Sequence, residues 1–160
     1  MNAGTLTAEQ VMSRVLVTVV AEESPLMAWE LMRRAGVHHL PVIDARARPL
    51  GILTCEDLAG SWSGGPAEQS HRQIHSLISR RRMPRARPDQ PLEEVAAAML
   101  DASCDAVPVV GENGRLIGMI TTVDVLTAVA GRTVITDEPG EVRTALFRIE
   151  PVPLVTEEHP

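Results

Sequence analysis

The sequence predicts a mixed α/β (α+β) fold built from two βαββα repeats that close on each other as a pair. Three observations lead there. First, one pattern occurs twice: Leu40-Pro41-Val42-Ile43 leads to Gly51-Ile52-Leu53-Thr54-Cys55-Glu56-Asp57, and Val107-Pro108-Val109-Val110 leads to Gly118-Met119-Ile120-Thr121-Thr122-Val123-Asp124. Second, the spacing is constant, because 108−41, 118−51 and 124−57 all equal 67. Third, β-branched apolar runs alternate with a stretch of helical periodicity inside each copy. A solenoid needs about three or more copies, so two copies point to a closed pair.

In the first copy, Val15 to Val20 reads as a strand. Ser24 is a suitable helix N-cap and Pro25 fits the first helical position, where its missing N–H costs nothing. Ala28, Leu31, Met32 and Ala35 recur at helical spacing, and Gly36 is placed to end the helix. Val37 to Ile43 and Leu50 to Thr54 read as strands joined by a loop at Ala45 to Pro49. A short helix begins near Cys55. In the second copy Pro91 opens a helix whose apolar face is Leu92, Val95, Ala98, Met99 and Ala102. Ala106 to Val110 and Leu116 to Thr121 form the hairpin, turned by Asn113-Gly114, the dipeptide that a type I′ turn favours. A helix from Asp124 to Ala130 follows, closed by Gly131. The distance from helix to Pro is one residue longer in this copy, so the register slips upstream of Ala28 and Val95.

The domain reading is repeat one at 7–60, a linker at 61–74, repeat two at 75–131 and a tail at 132–160. Ser61 to Gln69 is rich in Gly, Ser and Pro, as linkers are. Arg143 to Arg148 reads equally as helix or strand, and the Pro-rich end is expected to be loose.

Composition narrows the function classes. The 160 residues carry 44% hydrophobic and 22% charged side chains, ordinary values for a globular chain. One Phe, two Trp and no Tyr leave an aliphatic core and no aromatic platform for stacking bases. A net charge of −6 also argues against nucleic-acid binding. Arg80, Arg81, Arg82, Arg85 and Arg87 form one basic run, which reads as a solvated strand edge or as an inward anion site. Cys55 and Cys104 make neither a metal-type pair nor a disulfide framework. Met1 to Glu9 is polar, and no apolar run approaches the roughly 20 residues of a membrane helix, so a cytoplasmic location is expected. Successive strand residues point to opposite faces, so His38 and His39 do not share one ion, and no metal is expected.

Gly-x-x-Thr-x-x-Asp occurs twice at a strand-to-helix junction. The strand end delivers a hydroxyl and the helix start a carboxylate one turn on. A carboxylate accepts two bonds from vicinal ribose hydroxyls, while the threonine and unpaired helix N–H groups suit phosphate oxygens. The same residues also spell a capping box, in which Thr54 or Thr121 caps the helix and Asp57 or Asp124 pairs back. Both readings stand on the residues alone.

Both copies resemble CBS domains, the cystathionine-β-synthase-type regulatory modules. The resemblance rests on Leu40-Pro41-Val42-Ile43-Asp44 with Gly51-x-x-Thr54-x-x-Asp57, and on Val107-Pro108-Val109-Val110 with Gly118-x-x-Thr121-x-x-Asp124. It covers residues 7 to 131. It implies a tandem CBS pair packed sheet to sheet with pseudo-twofold symmetry, adenosyl ligands in two inter-repeat clefts, and a homodimer formed through the helices. The favoured cleft takes Met119, Ile120, Thr121 and Asp124 from repeat two, with Ser13, Leu16, Thr18, Val37 and His38 opposite. The second takes Ile52, Thr54 and Asp57, with Ser79, Arg82, Arg85, Cys104 and Asp105 opposite. His38 can donate to a phosphate, whereas its counterpart Asp105 repels one.

The functional expectation is a regulatory module that senses AMP, ADP, ATP or S-adenosylmethionine and signals in trans to an unknown protein partner, with no cofactor required. The alternative is a ligand-free dimerisation or interaction scaffold in which Thr and Asp only cap helices. No nucleophile–base pair, phosphate-cradling glycine loop or convergent carboxylate pair points to an enzyme.

Overall fold

The computed structural model describes residues 6–14, 16–78 and 82–133. The elements are α1 (Ala8–Val11), β1 (Val19–Val20), α2 (Pro25–Ala35), β2 (His39–Ile43), β3 (Pro49–Thr54), α3 (Cys55–Ser61), α4 (Pro66–His71), α5 (His75–Ile78), α6 (Leu92–Ala102), β4 (Ala106–Val110), β5 (Leu116–Thr121) and α7 (Thr122–Val129). The readings made for Ser79, Arg80, Arg81 and the 134–160 segment lie outside the described residues.

Each repeat is organised on a hairpin. β2 runs antiparallel to β3 with Pro41 opposite Ile52, and β4 runs antiparallel to β5 with Pro108 opposite Met119. β4 and β5 occupy the segments read from the sequence. β1 joins the first hairpin in parallel through Val19 and Val42, and Ala86 makes the matching parallel bridge to Val109. Since 109−42 and 86−19 both equal 67, the repeat register is recovered upstream of the helices. Of the strand expected at 15–20, Val15 lies outside the described residues and Val19–Val20 form the strand in the sheet of repeat one. Upstream the chain crosses to the other repeat, where Ser13 N–H donates to Met119 O at 2.9 Å and Met119 N–H to Ser13 O at 3.1 Å.

The local rules account for the helix ends. Ser24 Oγ accepts the Met27 N–H at 3.2 Å, Pro25 opens α2, and Gly36 ends it in the left-handed region at φ 64°. Ser103 ends α6 in the same conformation at φ 51°, without glycine's freedom. The Asn113-Gly114 turn differs from the type I′ expectation, which needs positive φ at both central residues. Only Gly114 is left-handed, at φ 76°, and Gly114 N–H closes onto Gly111 O at 2.9 Å. The ladder shifts register between Val109 and Val110, so the extra residue goes into a bulge. Repeat one makes the same turn with Ala47 left-handed at φ 58°.

Packing exchanges the N-terminal segments. Leu6, Ala8, Val11 and Met12 lie in one core with Leu92, Val95, Met99, Val107, Val109 and Ile120 of repeat two. Ile74 and Ile78 lie in the core of repeat one with Ala28, Met32, Leu40, Val42, Leu53 and Leu58. A Cβ on Gly118 would collide with Met12, and one on Gly51 would touch Ile78 at 3.4 Å. The motif glycine is therefore the floor on which the exchanged segment rests. The stretch 61–74, expected as a linker, contains helix α4, with Gly65 before it and Pro66 at its first position. Gln69 on α4 is fully buried and donates through Nε2 to Ser63 O at 2.6 Å.

The two halves meet at a seam of Leu16, Ile52, Ala106, Leu116 and Met119, edged by Ile43 and Met83. Burying each of its large side chains contributes on the order of 1.5–3 kcal/mol. Leu116 N–H also donates to Ala47 O at 2.8 Å, tying the two hairpin turns together. The result is a pseudo-twofold pair of βαββα units facing through their sheets.

Candidate ligand site between the repeats

The two motif junctions are built alike. Thr54 N–H donates to Asp57 Oδ2 at 3.0 Å and Asp57 N–H donates back to Thr54 Oγ1 at 3.1 Å. Thr121 N–H donates to Asp124 Oδ2 at 2.8 Å, Asp124 N–H to Thr121 Oγ1 at 3.3 Å, and the Thr121 hydroxyl to Asp124 Oδ2 at 3.0 Å. Both capping boxes are thus complete. They also orient the acids, since every described bond to the Asp124 carboxylate goes to Oδ2, leaving Oδ1 for another donor. Asp124 and Asp57 are half-buried.

Strand alternation decides what faces the seam. Met119 and Ile52 point into it, while their neighbours Ile120 and Leu53 point into the separate repeat cores. Ile120 is fully buried there, which corrects its expected place in the cleft lining. Leu16 joins the seam, and Ser13 reaches it through its backbone bridge to Met119. Thr18 is 5% exposed, and its buried hydroxyl has no hydrogen-bond partner among the described residues. Val17 and Val19 on either side pack into the core of repeat one, so Thr18 faces the opposite way, with Leu16. A buried hydroxyl left unpaired is uncommon and calls for a reason.

The remaining site residues fall into three hollows. Val37 and His38 line one of about 300 Å³ with Trp29, Met32, Arg33, Gly36 and Cys55. Cys104 and Asp105 line the equivalent one of about 490 Å³ in repeat two, with Met99, Leu100, Ser103, Thr122 and Val125 among its walls. Each pair is tied to its own junction: Cys55 N–H donates to His38 O at 3.3 Å and Thr122 N–H to Asp105 O at 2.9 Å. Val37 and His38 are thereby grouped with the helical side of repeat one, and Cys104 and Asp105 with that of repeat two. Arg82 and Arg85 line a hollow of about 220 Å³ with Pro49, Leu50, Gly51, Met83 and Pro108, at the start of β3 rather than at Thr54 and Asp57 near its end. Arg85 donates from Nη2 to Pro49 O at 2.9 Å, so this member of the basic run turns toward the other repeat.

Electrostatics link the halves. Burial depresses the pKa of His39, opposed by the charge of Asp105 on the other repeat, while His38 depresses it further and Glu56 opposes. Burial raises the Cys104 thiol, offset by a hydrogen bond from the Ala106 backbone. Among the described residues no group of three His, Cys, Asp or Glu gathers to hold an ion. Sequence reasoning missed that Met32 and Cys55, 23 residues apart, meet across α2 and α3. It also missed the apolar outer face of α6 and α7. Neither carried a motif.

This architecture, two hairpin-and-helix units facing through their sheets with a Thr-x-x-Asp junction in each, defines a tandem domain pair. The CBS domain family model matches residues 8–63 and 74–131, and the chain belongs to that family. Among its relatives is the L-aspartate semialdehyde sulfurtransferase of Methanocaldococcus jannaschii, 25% identical over 124 residues, 78% of this chain but 23% of that enzyme. The chain therefore spans about a quarter of that relative. The CBS domain pair of protein MJ0100, solved with 5′-methylthioadenosine and S-adenosyl-L-methionine, superposes with a TM-score of 0.65 at 25% identity, covering 76% of this chain and 97% of that one. The cytosolic domain of the Mg²⁺ channel MgtE, solved with ATP, gives 0.64 at 27% identity, covering 75% and 47%. No described helix is long and apolar enough to cross a membrane.

Proposed function

We propose that this chain is a regulatory CBS pair that takes an adenosyl ligand at the seam and signals through its helical faces to a protein partner in trans. The observation that carries the reading is the Thr18 hydroxyl, buried without a partner among the described residues between Val17 and Val19, which pack into the core of repeat one. A ligand hydroxyl or ring nitrogen would satisfy it, and Asp124 Oδ1 would accept from a ribose. Ser13, Leu16 and Met119 supply the walls and Thr121 the nearby hydroxyl. The second site, at Ile52, Thr54 and Asp57, has the same junction, and the basic hollow at Arg82 and Arg85 suits an anionic tail. The neighbours solved with S-adenosyl-L-methionine, 5′-methylthioadenosine and ATP support this ligand class.

The output side is apolar. On α6 and α7, Leu100 is 80% exposed, Val123 69%, Leu126 61% and Val129 67%, large apolar side chains of the kind that proteins cover with a partner. A homodimer through this face would present a surface that ligand binding at the seam can alter, by as much as its affinity differs between states. The unpaired Cys55 and Cys104 fit a reducing cytoplasm.

A second reading is an interaction scaffold, favoured by the two completed capping boxes, which give Thr and Asp a role without any ligand. Melting with AMP, ADP, ATP, S-adenosylmethionine and adenosine separates the two. Ligand at a hundred times its Kd contributes about 2.7 kcal/mol to the folded state, roughly 5–10 °C for a chain of this size. A rise with at least one compound is the expected result, and no response to any of the five supports the scaffold.

A further inference from the structure

The hollow beside α2 brings three soft donors together. Cys55 Sγ lies 3.5 Å from Met32 Sδ and 3.8 Å from His38 Nδ1. Bonds of about 2.3 Å to sulfur and about 2.1 Å to nitrogen set neighbouring donors roughly 3.6–4.0 Å apart in a three- or four-coordinate site. The Cys55–His38 separation falls within that range and the Cys55–Met32 separation lies about 0.1 Å below it. Thiolate and thioether sulfur select cuprous copper, and imidazole suits it as well. Arg33, which lines the hollow, is already paired with Glu30 at 3.1 Å.

We propose that Met32, His38 and Cys55 form a cuprous-ion site in repeat one, distinct from the seam. Binding would displace the Cys55 thiol proton to solvent and leave copper as Cu(I), so no electron is transferred. Repeat two supplies an internal comparison. At the offset of 67 the same three positions hold Met99, Asp105 and Thr122, and that hollow, though it also holds Cys104, has neither the imidazole nor a thiol at the Cys55 position. The fold therefore tolerates either chemistry at these positions, and only repeat one has the copper set.

The test is anaerobic titration of the full chain with Cu(I) against bicinchoninate, followed by tryptophan fluorescence. Trp29 lines the hollow and packs against Trp62 with ring centroids 6.3 Å apart and planes tilted by 56°, and these are the two tryptophans of the chain. The expected result is one equivalent of tightly held Cu(I) with quenching. The double variant His38→Asp/Cys55→Thr, which copies repeat two, should weaken binding by about 100-fold or more, taking the upper end of what ligand-shell changes cost. Met32→Leu, which keeps the packing volume, should weaken it at least about tenfold, and Cys104→Ser should leave it unchanged. Wild-type affinity in the double variant overturns the proposal, as does wild-type affinity in Met32→Leu if the double variant does not fold. A preference for Zn(II) over Cu(I), or loss of binding in Cys104→Ser, also overturns it.

Discussion

Replacing Thr18 by Val changes one buried hydroxyl to a methyl of nearly the same size. Thr18 is 5% exposed and its Oγ1 is bonded to nothing in the described chain, so no internal hydrogen bond is lost. What disappears is the desolvation penalty of an unpaired polar atom, about 1–3 kcal/mol. For a chain of 160 residues each kcal/mol moves Tm by roughly 2–4 °C, so the ligand-free variant should melt higher, by about 2–12 °C. The same change removes a partner from the ligand, costing about 1 kcal/mol, or roughly fivefold in Kd. Stability and affinity then move in opposite directions. Differential scanning calorimetry reads the first and isothermal titration with whichever adenosyl compound binds reads the second. A lower Tm would show that the hydroxyl is satisfied in the free protein. A higher Tm with unchanged affinity would show that it never meets the ligand.

Three other predictions rest on the repeat symmetry and on the seam. At two pairs of equivalent left-handed positions one repeat has glycine and the other does not: Gly36 against Ser103, and Gly114 against Ala47. The left-handed penalty of about 1–2 kcal/mol outweighs glycine's extra chain entropy of about 0.5–1 kcal/mol. Ala47→Gly and Ser103→Gly should therefore each raise the urea midpoint, and Gly114→Ala should lower it. Gly118→Ala pushes a methyl into Met12 and should destabilise by about 1–3 kcal/mol; a neutral result would remove the packing role assigned to the motif glycine. The folded-state pKa of His39 is depressed, chiefly by burial, so the unfolded chain binds the proton more readily. Stability carried by neutral His39 is present above its ordinary pKa of 6.5 and is lost as pH falls from there through the folded value. Chemical denaturation of His39→Gln between pH 7.5 and 5.5 should show a shallower acid loss than wild type, and parallel curves would refute it.

How far the sequence reached depended on whether the physics was local. The hairpin strands, the Ser24 cap, the Gly36 stop and both Thr-x-x-Asp junctions follow from neighbours within a few residues, and the structure has them. What escaped is non-local. The placement of Met12 on Gly118, and of Ile78 on Gly51, depends on surfaces contributed by distant parts of the chain. The turn at Asn113-Gly114 is not type I′, and the ladder shifts register between Val109 and Val110, which a dipeptide preference does not encode. Ile120 was read as cleft lining beside Met119, although alternation alone sends one of the two inward. In repeat one, the hydrogen bond from Cys55 N–H to His38 O and the Cys55–Met32 contact group His38 with α2.

Methionine methyl NMR asks directly whether an adenosyl ligand sits between the halves. Met119 lines the seam and Met83 edges it, whereas Met12, Met32 and Met99 belong to the separate repeat cores. Titrating methyl-labelled protein with S-adenosylmethionine or ATP should shift Met119 and Met83 saturably and leave the core signals nearly still. Saturable binding that moves Met32 or Met99 while Met119 stays in place would contradict a ligand at the seam.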